Sequence, residues 1–139
     1  MSRPEAPAIP GIVDGAAIAA TAGWIARVQE PSGAIPWFPR GQVDVWDHVE
    51  SAMALTAAGR WAEARGAFEW LRRTQRADGS WPLRQRRGRV EDGGADANHC
   101  AYVAVGTLHH LLITGDESFA HHVWPTVRRA LDFAVGLQT

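Results

Sequence analysis

The sequence contains a single cysteine and no long uninterrupted apolar stretch. One cysteine excludes an intrachain disulfide and is typical of proteins in a reducing compartment. No stretch reaches the roughly 20 apolar residues that a membrane-spanning helix needs. Glu5 and Asp14 also interrupt the region where the apolar part of a signal peptide would lie. These features predict a cytoplasmic protein without stable membrane insertion.

The chain also has almost no net charge. The formal net charge of the 139 residues is -1, which provides no general attraction for nucleic acids or acidic lipids. We therefore expect no nucleic-acid partner. Tyrosine occurs once, whereas tryptophan occurs 7 times. Tryptophan combines a large apolar surface with a polar N–H group, so it suits both repeat cores and ligand pockets.

Apolar residues recur at helical spacing in five segments, and no segment shows convincing strand alternation. The predicted helices span residues 12–29, 43–58, 61–76 and 96–114, with a fifth starting at Trp124. Pro125 is expected in the first turn of the fifth helix, because a proline inside a helix removes a hydrogen bond. Residues 78–94 are expected to form a long loop, and residues 1–10 a flexible arm. The fold prediction is all-α, with antiparallel helical hairpins in one domain over residues 11–139.

Two of the predicted helices end in the same pattern, which is an aromatic residue, a glutamine five positions later, a glycine and a tryptophan. The first copy is Trp24, Gln29, Gly33 and Trp37, and the second is Trp70, Gln75, Gly79 and Trp81. A third copy begins at Phe133 and reaches Gln138. Such self-similarity predicts a repeat of helical hairpins. The interrupted third copy leads us to expect the N-terminal part of a longer protein.

The predicted helices alternate in character along the chain. Helices one, three and five carry the aromatic–glutamine pattern, whereas helices two and four begin with polar clusters and become apolar. In a stack of helix pairs this alternation indicates an outer and an inner ring, with the inner N-termini facing a common cavity. Repeat arrays need capped ends. We therefore expect a homo-oligomer, or a fold that depends on the missing C-terminal part.

The segment 68–75, together with Gly79 and Trp81, resembles the QW motif of the prenyltransferase and squalene-cyclase repeat family. The copy at Gln29 is a looser version. In that family the motif lies on the outer helices of an α/α toroid and joins successive hairpins through glutamine hydrogen bonds. The resemblance implies an incomplete α/α toroid of about five helices and a whole protein that acts on an isoprenoid or other lipid substrate. The motif is structural, so it transfers no catalytic residue.

A second resemblance lies in the later part of the chain. The stretches 101–103 and 114–116, with Trp124, Pro125 and the stretch 130–133, are similar to the six-hairpin glycosidases, which are also α/α toroids. This resemblance implies a glycan substrate and a carbohydrate-processing enzyme as the alternative. A non-catalytic helical-repeat scaffold is the third interpretation. The cofactor remains unassigned, and no metal site is predicted, because Asp96 and Cys100 do not have the zinc-ligand spacing of protein prenyltransferases.

Candidate catalytic residues cluster at the predicted start of helix two. Asp44, Asp47 and His48 share one helical face, and Glu50 follows them. Carboxylates beside a histidine can provide general acid–base catalysis, since proximity separates their pKa values. Helix capping and solvation are the alternative roles. Asp96, at the start of helix four, completes the catalytic set.

The candidate substrate-binding residues are Trp37, Trp46, Asn98, His99 and Arg87. The aromatic faces of Trp37 and Trp46 suit either a carbocation or a sugar ring. Asn98 and His99 open helix four, where a capping Asp96 beside a buried Cys100 is the commoner explanation and pocket lining is favoured over zinc binding. Arg87 belongs to a basic run interpreted as a solvated loop or, alternatively, as a lid that grips a diphosphate or another anion. The other tryptophans assigned a role, expected in packing, are Trp24, Trp61, Trp70 and Trp81.

Overall fold

The computed structural model describes residues 8–138. Within this range the chain forms five α-helices and one two-stranded antiparallel hairpin, which confirms the mainly helical prediction. The elements are α1 (Gly15–Val28), α2 (Val45–Ala57), α3 (Trp61–Thr74), β1 (Arg84–Arg86), β2 (Arg89–Asp92), α4 (Ala97–Thr114) and α5 (Glu117–Gly136). Of the predicted arm 1–10, residues 1–7 lie outside the described residues. Between residues 8 and 138, no helix has the length and hydropathy needed to cross a bilayer.

Aspartate side chains determine where four of the helices begin. Asp14, Asp44, Asp96 and Asp116 each accept a hydrogen bond from the backbone N–H three residues later. Such an N-cap satisfies one of the free N–H groups of the first helical turn and contributes about 1 kcal/mol. The capping alternative for Asp44 and Asp96 is therefore confirmed.

Helix α2 lies at the centre of the packing. It contacts α1, α3 and α4, while α5 packs against both α3 and α4. The core between them is apolar and includes the fully buried Val49, Leu55, Phe68 and Val103. Helix α2 therefore lies beside α4, and α3 lies beside α5.

The repeated glutamines connect α1 with α3 and α3 with α5. The Gln29 side chain donates to Gly33 O and to Glu63 O of α3, both at 3.0 Å. The Gln75 side chain donates to Gly79 O at 3.0 Å and to Thr126 O of α5 at 2.9 Å. The glutamine hydrogen bonds that the first resemblance implied are thus confirmed as a feature of helix packing.

The repeated glycines are required by close contact with the helix that the neighbouring glutamine bonds, α3 for Gly33 and α5 for Gly79. Gly33 and Gly79 have φ of 94° and 91°, a backbone conformation that favours glycine. A Cβ on Gly33 would lie 2.2 Å from Gly66 O, and one on Gly79 would lie 2.2 Å from Arg129 O. The glycine therefore permits the approach that the glutamine hydrogen bonds then hold.

Trp37 was wrongly predicted to be the first-copy equivalent of Trp81. Trp81 is 1% exposed and donates from Nε1 to Leu71 O at 3.0 Å. The residue in the same position after Gly33 is Ile35, which is 3% exposed, whereas Trp37 is 54% exposed. An apolar side chain, not tryptophan specifically, is what this buried position requires.

The predicted break before the fifth helix is wrong. Helix α5 runs without interruption through Pro125 from Glu117. Phe119 and Val123 are buried before the proline, and Val127 is buried after it. Burial of this continuous apolar face offsets the roughly 3 kcal/mol that an interior proline costs.

The loop predicted over residues 78–94 contains the hairpin β1–β2, so that part of the prediction is also wrong. Its turn residues Arg87 and Gly88 have φ of 48° and 75°, as two-residue hairpin turns that match the strand twist require. Gln85 in β1 forms a bridge with Val43, with N···O distances of 2.7 and 3.0 Å. This bridge attaches the hairpin to the segment that precedes α2.

Candidate functional site

A cleft of about 500 Å³ lies beside the N-terminal half of α2. Its walls come from α1, from the segment 35–37 and from α2. The lining residues relevant here are Trp24, Val28, Ile35, Trp37, Asp47 and Glu50. The structure therefore brings three of the predicted site residues, Trp37, Asp47 and Glu50, into one concave surface.

Asp44 is a buried residue that hydrogen-bonds two residues of this cleft, Trp37 and Asp47. It is only 8% exposed, and its Oδ1 accepts the helix-capping bond from Asp47 N at 2.9 Å. Its Oδ2 accepts a hydrogen bond from Trp37 Nε1 at 2.6 Å. With both carboxylate oxygens occupied, Asp44 is suited to hold Trp37 and the first turn of α2 in place.

Asp47 has the chemically distinctive carboxyl group of the cleft. Its pKa is raised from 3.8 to about 6, first by partial burial and then by the adjacent Asp44 and Glu50 carboxylates, while His99 acts in the opposite direction. Asp47 also shares a side-chain hydrogen bond with Asp44, which favours a proton between the two groups. A carboxylic acid that keeps its proton into mildly acidic solution, where an ordinary aspartate has lost it, is suited to donate that proton during catalysis.

Glu50 is exposed and connects α2 with α4. Its Oε1 accepts from Trp46 Nε1 at 3.0 Å and from the Tyr102 hydroxyl at 3.4 Å. The rings of Trp46 and Tyr102 stack with centroids 4.1 Å apart and planes 6° apart, and His99 lies 5.9 Å from Trp46. The predicted residues Trp46 and His99 thus form an aromatic wall next to the carboxylates.

His48 occupies a packing position and not a position in the cleft. It is fully buried; its Nδ1 accepts from Ile35 N at 3.1 Å, and its Nε2 donates to Ala67 O at 3.0 Å. Burial lowers the pKa of its ring to about 4. The catalytic prediction for His48 is corrected on this geometry, because both ring nitrogens are engaged and substrate has no access to them.

The start of α4 holds a cap and a buried thiol. Asp96 accepts from His99 N at 3.0 Å, Asn98 is exposed, and Cys100 is buried. Burial raises the pKa of the Cys100 thiol, and the Trp81 backbone hydrogen-bonds it. Over residues 8–138, no group of three or more histidine, cysteine, aspartate or glutamate side chains is arranged to hold a metal ion.

Arg87 is separated from the other candidates. It lies at the tip of the β1–β2 turn and lines a different cleft from Asp47. Two residues that the sequence analysis did not assign to the site lie beside the predicted ones. Trp24 was expected in packing but is 51% exposed on the wall of the Asp47 cleft, and Tyr102 stacks on Trp46. The looser first repeat was the available signal for Trp24, since a structural repeat residue need not stay buried in every copy.

Comparison with known proteins adds one relative. Over 132 residues, 95% of this chain, the sequence is 55% identical to the MMP endo-(1,4)-3-O-methyl-alpha-D-mannosidase of Mycolicibacterium hassiacum. The matched region is 37% of the relative's length, so the chain spans little more than a third of that protein. No family model matches the chain.

This relative overturns the leading interpretation of the sequence. Its name describes an enzyme that acts on a carbohydrate, so the identification with the prenyltransferase and squalene-cyclase family is wrong, as are the lipid substrate and terpenoid transferase chemistry. The carbohydrate alternative is better supported. The aromatic–glutamine pattern misled because it reports how helices pack, and proteins with different chemistry can share that packing.

Proposed function

We propose that the protein carrying this sequence is a carbohydrate hydrolase that cleaves internal 1,4-linkages in chains of 3-O-methyl-α-D-mannose. The observation that carries the proposal is the 55% identity to a mannosidase of that specificity over 95% of the chain. The Asp47 cleft supplies chemistry that fits, since glycoside hydrolysis requires a carboxylic acid to protonate the leaving oxygen.

Asp47 is the proposed general acid. Its pKa of about 6 keeps about half of it protonated near pH 6 and most of it protonated in more acidic solution. Asp44 then has a positioning role, because it shares a hydrogen bond with Asp47 and fixes Trp37. Asp44, Asp47 and Glu50 all lie at the N-cap or within the first two turns of α2, so they approach a scissile bond from the same side. The second catalytic carboxylate is therefore proposed to come from another element.

Trp24 and Trp37 are proposed to bind sugar rings on either side of Asp47. Both residues line the cleft and are about half exposed, at 51% and 54%. The apolar Val28 and Ile35 line the same cleft. Such walls favour the apolar faces of pyranose rings, and an O-methyl group adds apolar surface worth about 25 cal/mol per Å² when it is buried.

We further propose that residues 11–139 form one arc of an α/α toroid. The two ends of the helix array support this, since each presents apolar surface. A groove of about 300 Å³ between α1 and α2 is lined almost entirely by apolar residues, including Val13, Ile18 and Ala54. At the other end, α4 exposes Val105, Leu108 and Leu112. Further hairpins of a longer polypeptide, or a second copy of this chain, would cover both. We also propose that the protein is cytoplasmic, because its single cysteine, Cys100, is a free thiol of the kind found in reducing compartments.

Binding can be tested with this chain directly. Tryptophan fluorescence titration with a 1,4-linked 3-O-methyl-α-mannose oligosaccharide should show saturable quenching, and Trp37→Ala should weaken binding about tenfold or more. Trp124→Ala is the matched control, since Trp124 on α5 is 53% exposed and lies outside the cleft. The unmethylated oligosaccharide should bind more weakly. Equal binding by the Trp37 and Trp124 variants would remove the cleft from the proposal.

Catalysis is tested in the polypeptide that contains this sequence together with its native flanking regions. Endo cleavage should appear by mass spectrometry as internal oligosaccharide products. Asp47→Asn should abolish cleavage while binding, measured by the same quenching, stays within about threefold. Retained cleavage by Asp47→Asn would exclude Asp47 as the acid.

A further inference from the structure

A second and larger cleft lies next to the proposed catalytic one. It has a volume of about 730 Å³ and is formed by the C-terminal ends of α1 and α3, the segment 30–43 and the β1–β2 hairpin. Val28 contributes to both clefts, whereas none of the candidate carboxylates lines this one. The mannosidase proposal therefore leaves this surface without a role.

The backbone of this cleft is unusual. Among the described residues, two non-glycine residues have positive φ, namely Arg40 at 64° and Arg87 at 48°. Both line this cleft, although they are 47 residues apart in the chain. The hairpin turn sets the φ of Arg87, and the turn closed by the Gly41 N–Phe38 O hydrogen bond contains Arg40, so two tight turns carry arginines that line the same cleft.

Backbone hydrogen bonds fix the two turns that carry these arginines. The Arg40 loop is closed by hydrogen bonds from Trp37 N to Gln42 O at 2.9 Å and from Gly41 N to Phe38 O at 2.7 Å. The Arg87 turn is attached to the same loop through the Val43–Gln85 bridge. The two guanidinium groups are therefore carried by segments that are fixed relative to each other.

The cleft has an excess of positive charge. Four arginines (Arg27, Arg40, Arg73 and Arg87) line it, against one carboxylate, Glu30. Arg27 packs over the Trp24 ring at 5.6 Å, and Arg73 donates to Ser32 O. In the same hairpin Arg84 and Arg86 both pair with Glu91. No such pair engages Arg40 or Arg87 within residues 8–138, so their donors are free to meet a ligand.

The buried residues that line this cleft, called its floor here, are one polar residue, Gln85, and the apolar Ala34, Val43 and Trp70. Gln85 is only 7% exposed, and both of its backbone groups are bonded to Val43. Its side-chain amide hydrogen-bonds to none of the described residues, yet it lines the cleft. Val43, Ala34 and the nearly buried Trp70 supply the remaining floor. A ligand that satisfies this surface combines an apolar body with an anionic group.

The geometry points to a binding site for an oxyanion, a phosphate or carboxylate group carried on a partly apolar molecule. Arg40 and Arg87 grip the anionic oxygens, because guanidinium groups donate paired hydrogen bonds in a geometry that fits them. Gln85 hydrogen-bonds the ligand at the floor. This site is independent of the glycan cleft, and its ligand differs from the neutral sugar proposed there.

Isothermal titration calorimetry on the 139-residue chain at low ionic strength provides the test, with phenyl phosphate, inorganic phosphate and phenol as probes. Phenyl phosphate should bind at least about tenfold more tightly than inorganic phosphate, and phenol should not bind measurably. If inorganic phosphate binds equally well, the apolar part of the proposal is wrong. If phenol binds as well as phenyl phosphate, the oxyanion part is wrong.

The variant Arg40→Gly/Arg87→Gly separates a binding role from a structural one. Glycine relieves the positive-φ strain, so the melting temperature should rise slightly while phenyl phosphate affinity falls about tenfold or more. Arg89→Ala/Arg128→Ala is the control, because it removes the same charge from exposed positions outside the cleft. Gln85→Leu keeps the backbone bridge and should lower the affinity by itself. Unchanged affinity in the double glycine variant, or an equal loss in the control, would overturn the site.

Discussion

Asp47→Asn is expected to stabilise this chain at neutral pH, although Asp47 is the proposed catalytic acid. The folded structure raises the Asp47 pKa from 3.8 to about 6, so ionisation of Asp47 opposes folding. Asparagine imitates the protonated acid, since its amide N–H groups can still donate to Asp44, and it never carries the charge. Catalytic residues that are strained in this way commonly trade stability for activity.

The magnitude follows from the pKa shift. A shift of about 2 units corresponds to roughly 3 kcal/mol at about 1.4 kcal/mol per unit. Asp47 is only partly buried, so solvent screening reduces the expected gain to about 1 kcal/mol. The wild-type deficit is fully present above pH 6 and disappears as the pH falls from 6 toward 3.8, where both folded and unfolded Asp47 become protonated.

Urea denaturation followed by circular dichroism at 222 nm, at pH 7.5 and at pH 4.5, measures this difference. Asp132→Asn is the control, because the Asp132 side chain is 72% exposed on α5, and it should change stability little at either pH. Destabilisation of Asp47→Asn at pH 7.5, or a stabilisation that does not depend on pH, would refute the reasoning about burial and the Asp44 carboxylate.

Two further predictions concern the core. Burial lowers the pKa values of His48 and His110 from 6.5 to about 4. Between these two pH values the unfolded chain binds more protons than the folded chain does. The unfolding free energy should therefore fall as the pH is lowered from 6.5 toward 4, by up to roughly 3 kcal/mol for each ring. A urea midpoint that stays constant across this window would contradict their neutral burial. Gly33→Ala and Gly79→Ala should each lower the unfolding free energy by more than about 3 kcal/mol, since the new Cβ meets a backbone carbonyl. Gly136→Ala, with open space around it, should be neutral or stabilising, and similar losses in all three variants would contradict the packing argument.

Helix positions could be read from the sequence where local chemistry decides them. Asp44 and Asp96 are both N-caps, and a capping aspartate before an apolar period is a local signal. The glutamine contacts were also predictable, because the same side chain recurs at the same place in each copy. The break at Pro125 was not, since only the packing of α5 against α4 and α3 shows that the apolar face continues through the proline.

The candidate site was predictable in part for the same reason. Asp44, Asp47 and Glu50 lie within two helical turns, so helical geometry alone places them together. The sequence could not show that the adjacent His48 points into the core or that Trp24, 23 residues earlier in the chain, shares the Asp47 cleft. Those facts depend on how α1 and α2 pack.

The sequence by itself determined the elements whose causes are local: the aspartate caps, the amphipathic helical periods and the repeated glutamine and glycine. These arise from interactions within a few residues, or from a pattern repeated along the chain. Tertiary structure alone decided which carboxyl group is perturbed, which histidines are buried and which two arginines line one cleft. Desolvation and contact between distant segments set those properties, and neither exists until the helices pack.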